Sequence, residues 1–510
     1  MSDFITIQMS NVDILFLVRF VYNKRIEDRI VSISQPHVRP IVRGKAGKLV
    51  EFGAKVSVSL VDGYSFIERM SWDNFNESKD LSTIIVAINA RIIGINNHPY
   101  DPKGNTMQMK IESLSKFYEL MWYTVHIRRQ IVKCLLNKER IEEKCVDSLK
   151  TTLAVLESLP KENGKYKLSL REGKSIHTEL TYEIDELRKD LFYLEHSEDM
   201  FYQYLERMNP GFFSELEKGL RFFSGAQFKN FITDRDGTVN NYCGRYKSAV
   251  QSIYNSVFLV RFARECALNS VILTSAPLEN FGLLDVSVDP GGIFIYAGSK
   301  GREYIDKSGR RGGFPVKTAQ QQNLDTLNKR LSELLKREEY EQFSLIGSGL
   351  QFKFGQTTVA RQDIYGTIEK QESEKFLQLV TGIVREVDPE NKFFRIEDTG
   401  KDIEIVLTMQ RSRGTNDISD FNKGDGVEFL NRALNLRIEG ATNLICGDTS
   451  SDIPMVKASL EKSSHTSAIF VTEDEDLKGE VCTVCPNAFF VSKSDILVSI
   501  LYGLSKAEEV

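Results

Sequence analysis

Three kinds of hydrophobic patterning follow one another along the chain. In residues 1–100, Val56, Val58 and Leu60 alternate with polar positions, the period of a half-buried strand. A run of turn-forming residues from Asn96 to Asn105 then predicts a linker. Over residues 108–225 the period becomes helical. Leu114, Phe117 and Met121 share one face, as do Val146, Leu149, Leu153 and Leu156. Leu180, Ile184, Leu187, Leu191 and Leu194 recur at alternating steps of four and three, a narrow apolar seam suited to an antiparallel helical bundle or a short coiled coil. Breaks near Asn137-Lys138 and at Pro160–Gly164 divide the region into three long helices, none of which carries evident chemistry.

From residue 228 short apolar runs alternate with helical segments. Phe231–Thr233, Val271–Leu273, Ile293–Tyr296, Leu444–Cys446 and Ala468–Val471 predict the strands of an α/β domain with a parallel sheet. Residues 316–412 interrupt this rhythm. A charged helix around Leu324–Leu335 and candidate strands at Phe343–Ile346 and Ile403–Val406 predict an inserted α+β lid. The organisation expected is therefore a segment over 1–100, a helical bundle over 108–225, a core assembled from 228–315 and 413–510, and a cap over 316–412.

Composition narrows the class. A chain of 510 residues with 41% hydrophobic and 27% charged residues is that of a multidomain globular protein. A net charge of -5 argues against nonspecific nucleic-acid binding by the whole chain. Seven scattered cysteines fit a reducing compartment, and no apolar run reaches membrane-spanning length. The run Ile14–Val18 is short and lacks a basic leader and a cleavage site, so no signal peptide is expected and the cytoplasm is the default.

The chemistry concentrates at strand ends. Phe231-Ile232-Thr233 leads into Asp234-Arg235-Asp236-Gly237-Thr238, which offers one carboxylate as a nucleophile and a second as a proton donor and acceptor. Leu444-Ile445-Cys446-Gly447-Asp448 is a second apolar run ending in acids, with Asp452 close behind. Oxygen donors held this way suit a hard cation such as Mg²⁺. Thr274 lies at the end of the Val271 run, and Lys423 lies in Asn422-Lys423-Gly424-Asp425-Gly426. The six histidines show no ligand spacing, and the Cys482/Cys485 pair has no partner pair to complete a zinc or redox site.

Taken in order, these four pieces resemble the haloacid dehalogenase superfamily, whose fold is a Rossmann-like core. The resemblance implies that Asp234 is the nucleophile and Asp236 the general acid and base. It implies that Thr274 and Lys423 bind phosphoryl oxygens. Asp448 would hold Mg²⁺ with Asp234 and the backbone carbonyl of Asp236, while Asp452 would ligate directly or orient a metal-bound water. Gly298–Glu303, Gly347–Lys353 and Ile445–Val456 carry the likeness further, to the trehalose-6-phosphate phosphatase family in the form known from nematodes, over roughly residues 108–505. That family hydrolyses a sugar phosphate through an aspartyl-phosphate. Carried over by position, Glu303, Gln351, Lys353 and Glu404 would meet the sugar, with Arg302 and Arg361 as weaker candidates. Gln351 departs from the glutamate of more distant bacterial relatives. Arg235 departs from the aromatic residue common between the two acids, and its charge would either attract the anion or face solvent.

Residues 29–81, with Val38–Val56 and Arg69–Leu81, resemble an internal piece of an insertion-sequence transposase. The piece is too short for a full catalytic set and reads as a fused remnant without catalysis, with nucleic-acid binding not expected. Two other readings stay open at this point: a phosphatase of another sugar phosphate on the same scaffold, and an interaction protein that forms homo-oligomers through the helical seam.

Overall fold

The computed structural model describes residues 111, 113–171, 174–410, 418–419 and 421–506, together with the backbone of four strands in the first hundred residues. The chain divides into two units, Met1–Met109 and Lys110–Val510. In the first, β1 (Pro40–Lys45) pairs antiparallel with β2 (Lys48–Phe52), and β3 (Lys55–Val61) with β4 (Tyr64–Ser71). Val56, Val58 and Leu60 fall in β3. The linker expected at Asn96–Asn105, and the rest of the transposase-like segment, lie outside the described residues.

The second unit opens with helices, but not three. Helix α1 (Leu114–Asn137) ends where expected, at Lys138 in the left-handed region, and is followed by α2 (Glu143–Glu157). The expected break at Pro160–Gly164 is instead the start of a three-stranded meander, β5 (Lys161–Glu162), β6 (Lys165–Arg171) and β7 (Lys174–Thr178). Asn163 and Gly164 have φ of 52° and 79°, and Glu162 pairs with Lys165 across them. That is the tight Asn-Gly hairpin, whose twist matches the flanking strands. Tyr166, Leu168 and Ile176 point inward from it. Three shorter helices follow: α3 (Thr181–Glu195), α4 (Glu198–Met208) and α5 (Phe212–Phe222).

Leu180, Ile184, Leu187 and Leu191 are buried within this one chain, and Leu194 is half-buried. The opposite side of α3 is buried too, and it is charged. Glu183 binds Arg245 at 2.9 Å, Asp190 binds Arg128 at 2.5 Å, and Lys189 binds both Glu186 and Asp495 at 2.9 Å. These are structural ion pairs and not reacting groups, and they make α3 an internal wall between bundle and core.

The core sheet has eight strands in the order β12-β11-β10-β9-β8-β19-β20-β21. Central β8 (Phe228–Thr233) lies parallel to β9 (Ala267–Leu273) on one side and β19 (Asn443–Gly447) on the other. Beyond β9, β10 (Ile295–Gly298) is parallel, starting two residues later than expected, and β11 (Glu303–Ile305) and β12 (Arg311–Gly313) turn back antiparallel. Beyond β19 lie β20 (Thr466–Val471) and β21 (Phe489–Val491), both parallel. Ile232, Val271, Ile445 and Ala468 form its interior. Helices α6 (Ile253–Glu265), α7 (Leu283–Val286), α10 (Lys423–Leu434), α11 (Ile453–Leu460), α12 (Glu475–Val484) and α13 (Ser494–Lys506) flank this sheet.

The insertion between β12 and α10 builds a second sheet, antiparallel, in the order β13-β14-β16-β15. Its strands are β13 (Leu350–Lys353), β14 (Gln356–Ala360), β15 (Phe394–Asp398) and β16 (Asp402–Leu407). Helices α8 (Thr318–Leu335) and α9 (Lys370–Val387) cover its apolar face through Leu327, Leu331, Val359, Phe376, Val380, Ile403 and Ile405. The strand expected at Phe343–Ile346 is a short 3₁₀ turn, Glu341–Ser344. Phe343 and Ile346 are three apart and both buried, which a helical turn satisfies and a strand does not; Phe343 stacks on Phe376 with ring centroids 3.7 Å apart.

Bundle, core and cap are joined by specific polar contacts. Asn241, in the loop after the first acidic motif, donates to Glu186 at 3.0 Å and Asp495 at 2.9 Å, and Ser494 donates to the Gly237 carbonyl at 3.0 Å. Replacing Lys189 by Met would leave Glu186 and Asp495 buried without their cation. The expected cost is about 3–5 kcal/mol, read as a lowered denaturant midpoint in equilibrium unfolding.

Candidate active site

The first two segments meet because their strands are neighbours. The parallel register sets Thr233 beside Cys446, and the Asp234 N–H donates to the Cys446 carbonyl at 3.0 Å. The acids that end β8 and β19 therefore emerge side by side. This is also where the chain order reverses across the sheet, so no crossover covers the rim and a crevice is left at the carboxyl ends of the strands.

Lys423 arrives at the first turn of α10, with Asn422 capping the helix through the Gly424 and Asp425 N–H groups. Its ammonium donates to Asp234 Oδ1 at 2.6 Å and Asp452 Oδ1 at 2.5 Å. Asp452 Oδ2 accepts from the N–H groups of Asp448 and Thr449, each at 3.0 Å. Both Asp452 oxygens are thus engaged in holding Lys423 and the Asp448 loop. The Gly-Thr turn completes the arrangement. Gly237 has φ of 89°, and a Cβ there would stand 2.1 Å from Asp448 Oδ2. Thr238 Oγ1 donates to Asp448 Oδ1 at 3.0 Å and approaches Asp234 Oδ2 at 3.4 Å.

Oxygens of Asp234, Asp448 and Asp452 lie within 4.8 Å of one another. A compact set of carboxylates fits a hard divalent cation, whose preferred ligands are oxygens. Asp236 is not a member of this side-chain cluster. The electrostatics agree with a site that lacks positive charge. Burial pushes the Asp448 carboxyl up to about 9, reinforced by Asp234 and Asp452. Burial raises Asp234 to about 6, against the pull of Lys423. Burial alone would raise Asp452 also, but the charge and hydrogen bonds of Lys423 hold it below the usual carboxylate range. Burial opposes the charge on Lys423, yet Asp234 and Asp452 keep it well above the usual lysine range.

Thr274 ends β9 one strand away. Its carbonyl accepts from the Lys300 N–H at 2.8 Å and its hydroxyl oxygen from the Ala276 N–H at 3.3 Å. The polar face of the cap sheet presents the other expected residues. Pairing places Gln351 beside Thr358 and Thr358 beside Glu404, with Lys353 beside Gln356 in the next row. Gln351 and Lys353 are buried, and burial lowers Lys353 despite nearby Glu404. Glu303 Oε1 accepts from Ser299 Oγ at 2.6 Å and from the Leu278 N–H at 3.2 Å, and burial raises its carboxyl.

Two expected contacts fall elsewhere. Arg302 donates to the Gly355 carbonyl at 2.7 Å and lies 4.8 Å from the centre of the Phe421 ring, so it ties core to cap at the hinge. Arg361 is held inside the cap by Asp398 at 2.7 Å and Glu374 at 3.2 Å.

Lys300 was not anticipated. Its ammonium lies 3.8 Å from Glu404 Oε2, between the core and the polar cap face. Ser299, Lys300 and Gly301 have φ of 54°, 62° and 89°, and Gly301 packs against Gly426 at the start of α10. A lysine between two glycines in the Gly298–Glu303 motif was the available signal: the flanking glycines mark a close backbone approach.

Because the Asp448 carboxyl is raised in the folded state, its ionised form opposes folding from above pH 4, increasingly so toward pH 9. Asp448→Asn should therefore stabilise the cation-free protein at pH 8, by roughly 1 kcal/mol or more, and abolish any further rise in melting temperature on adding Mg²⁺. Thermal melts with and without the ion test both.

Residues 231–497 match the family model described as trehalose-6-phosphate phosphatase, C-terminal, and residues 113–211 match its N-terminal helical bundle domain. The chain is 31% identical over 415 residues to alpha,alpha-trehalose-phosphate synthase [UDP-forming] 2 of Caenorhabditis elegans, covering 77% of this chain and 33% of that relative. It spans about a third of the length of such synthase relatives. Trehalose-phosphatase of Brugia malayi is 28% identical over 76% of this chain and 86% of its own length. That of Caenorhabditis briggsae is 26% identical over 77% and 99%. With both characteristic regions matched in order and the four acidic, threonine and lysine segments meeting at one sheet rim, the chain belongs to the trehalose-6-phosphate phosphatase family.

Proposed function

We propose that this chain hydrolyses trehalose 6-phosphate to trehalose and phosphate through a phosphate ester on Asp234. The observation that carries the reading is the direct ion pair between Lys423 and Asp234, set beneath a cap sheet whose inward face is polar. A carboxylate that is both buried and cation-paired is positioned and partly neutralised for attack on an anion. Mg²⁺, held by Asp234, Asp448 and the backbone carbonyl of Asp236, would supply the remaining positive charge at the phosphoryl group.

The residues divide the work as follows. Lys423 and Thr274 bind phosphoryl oxygens, and Asp452 holds Lys423 and the Asp448 loop in place. Asp234 attacks phosphorus while Asp236 gives a proton to the departing sugar oxygen. Asp236 then takes a proton from the water that cleaves the ester. Glu303, Gln351, Lys353 and Glu404 face the sugar hydroxyls. A site built from such groups discriminates well, because a ligand lacking the matching hydroxyl leaves them unpaired. Cap closure over the core excludes bulk water.

Residues 228–315 and 413–510 act as the catalytic core, 316–412 as the cap and 108–225 as the helical bundle. Residues 29–81 are a fused, transposase-like remnant without catalysis. The free state of the seven cysteines supports a cytoplasmic setting, and no helix among the described residues is long and apolar enough to cross a membrane.

Phosphate release measured with trehalose 6-phosphate, glucose 6-phosphate and sucrose 6-phosphate tests the substrate. Trehalose 6-phosphate should give the highest kcat/KM, and a clear preference for another ester would move the reading to that sugar. Asp234→Asn should abolish turnover while the protein still folds, read by circular dichroism. Lys353→Ala and Glu404→Ala should each raise KM by about tenfold or more, while p-nitrophenyl phosphate, which lacks the sugar, should be little affected.

A further inference from the structure

The residue between the two motif acids is an arginine, and its side chain turns away from solvent to partners within the protein itself. The Arg235 side chain is 3% exposed. Its guanidinium forks inward. Nη1 donates to Asp236 Oδ1, and Nη2 donates to the Ala249 carbonyl at 2.6 Å, with the Val286 carbonyl at 3.5 Å. Those two carbonyls, one in the loop before α6 and one at the end of α7, sit on segments that are themselves tied together, since the Gln251 N–H donates to Val286 O at 3.0 Å and Gln251 Oε1 accepts from Val288 N–H at 3.0 Å. The guanidinium is therefore fixed to a frame outside the acidic motif. The motif turn adds its own constraint: the Asn240 N–H donates to the Arg235 carbonyl at 2.8 Å and the Gly237 N–H to the Asn240 carbonyl at 2.7 Å.

Asp236 is held by one oxygen only. Its side chain keeps 19% exposure, and Oδ2 makes no hydrogen bond to any described residue. We propose that Arg235 is the positioning residue for the acid–base carboxylate: it pins Oδ1 of Asp236 from behind and leaves Oδ2 aimed at the reacting oxygen. A planar guanidinium suits this task because its several donors can grip a carboxylate and a backbone carbonyl in one fixed geometry. Lysine, with a single mobile ammonium, does so less well.

The proposal rests on the phosphatase reading above. In the first half-reaction the bond from phosphorus to the leaving oxygen breaks as the Asp234–phosphorus bond forms, and the proton on Asp236 passes to that oxygen. In the second, a water proton passes to Asp236 as the water–phosphorus bond forms and the Asp234–phosphorus bond breaks. Arg235 neither gives nor accepts a proton. Its contribution is to keep Oδ2 at the proton-transfer distance in both halves.

The leaving group separates this role from a merely structural one. Arg235→Met and Arg235→Lys are compared with the unaltered chain, in saturating Mg²⁺, on whichever alkyl phosphate it turns over fastest and on p-nitrophenyl phosphate. Departure of p-nitrophenolate needs no proton. Arg235→Met should lower kcat on the alkyl ester about ten- to a hundredfold, within the range a general acid contributes, with KM nearly unchanged. The pre-steady-state release of p-nitrophenolate should keep its rate, and Arg235→Lys should recover part of the alkyl-ester loss. Equal losses on both esters, no loss on either, or failure of both variants to fold would overturn the proposal. The unaltered chain reads the parent hypothesis separately: turnover of an alkyl ester other than trehalose 6-phosphate rejects that substrate alone, and no turnover of any ester rejects both.

Discussion

The ammonium of Lys423 between Asp234 and Asp452 is the interaction on which the site depends. Three carboxylates within a few ångströms of one another repel, and burial makes that repulsion stronger. One cation shared by Asp234 and Asp452 makes the cluster tolerable and also sets its geometry. It ties the end of β8 to the start of α10. Through Asp452 it also ties both to the loop after β19. Asp448 accepts from the Thr238 hydroxyl and is not directly paired with Lys423, and burial, with the charges of Asp234 and Asp452, raises its carboxyl. A site so arranged is short of one positive charge by construction.

Around that centre the molecule is tied together by buried polar contacts as well as by its hydrophobic interiors. The bundle reaches the first acidic motif through Lys189, Glu186, Asp495 and Asn241. It also touches the cap, where the Tyr118 hydroxyl donates to the Leu345 carbonyl at 2.5 Å. Lys247 of the core donates to the neighbouring Ser344 carbonyl at 3.0 Å, and at the opposite end the Phe354 N–H donates to Ser299 Oγ at 2.8 Å. The cap is therefore held at two edges, one by core residues and one by bundle and core together. Contacts of this kind are directional, so they define a position for the cap that apolar packing alone would leave loose.

Legibility in the sequence followed from how strongly each segment repeats or is buried. The segments Phe231–Thr233, Val271–Leu273, Leu444–Cys446 and Ala468–Phe470 are buried on both faces of the sheet, which is why they stood out as short, largely apolar runs. The helix α3 showed a clean seam, but its polar side looked like an ordinary solvated face; only the packing of the bundle against the core reveals that Glu183, Glu186, Lys189 and Asp190 are buried. Asn163-Gly164 was a hairpin signal set among helical periods, and the surrounding pattern masked it. Phe343 and Ile346 had a spacing that fits a single helical turn, but the run was too short for periodicity to separate turn from strand.

From the sequence alone came the order of the acidic, threonine and lysine segments, because polar groups at the ends of apolar runs are local features. So did the polar insertion between the second and third of them. Packing in three dimensions set where each charge goes. Arg235 turns inward to a carboxylate, Arg302 goes to the hinge, and Asp452 grips Lys423 while Asp448 stays open. A charge settles where its desolvation is repaid by partners, and those partners come from segments far apart in the chain, 306 positions in the case of Lys189 and Asp495.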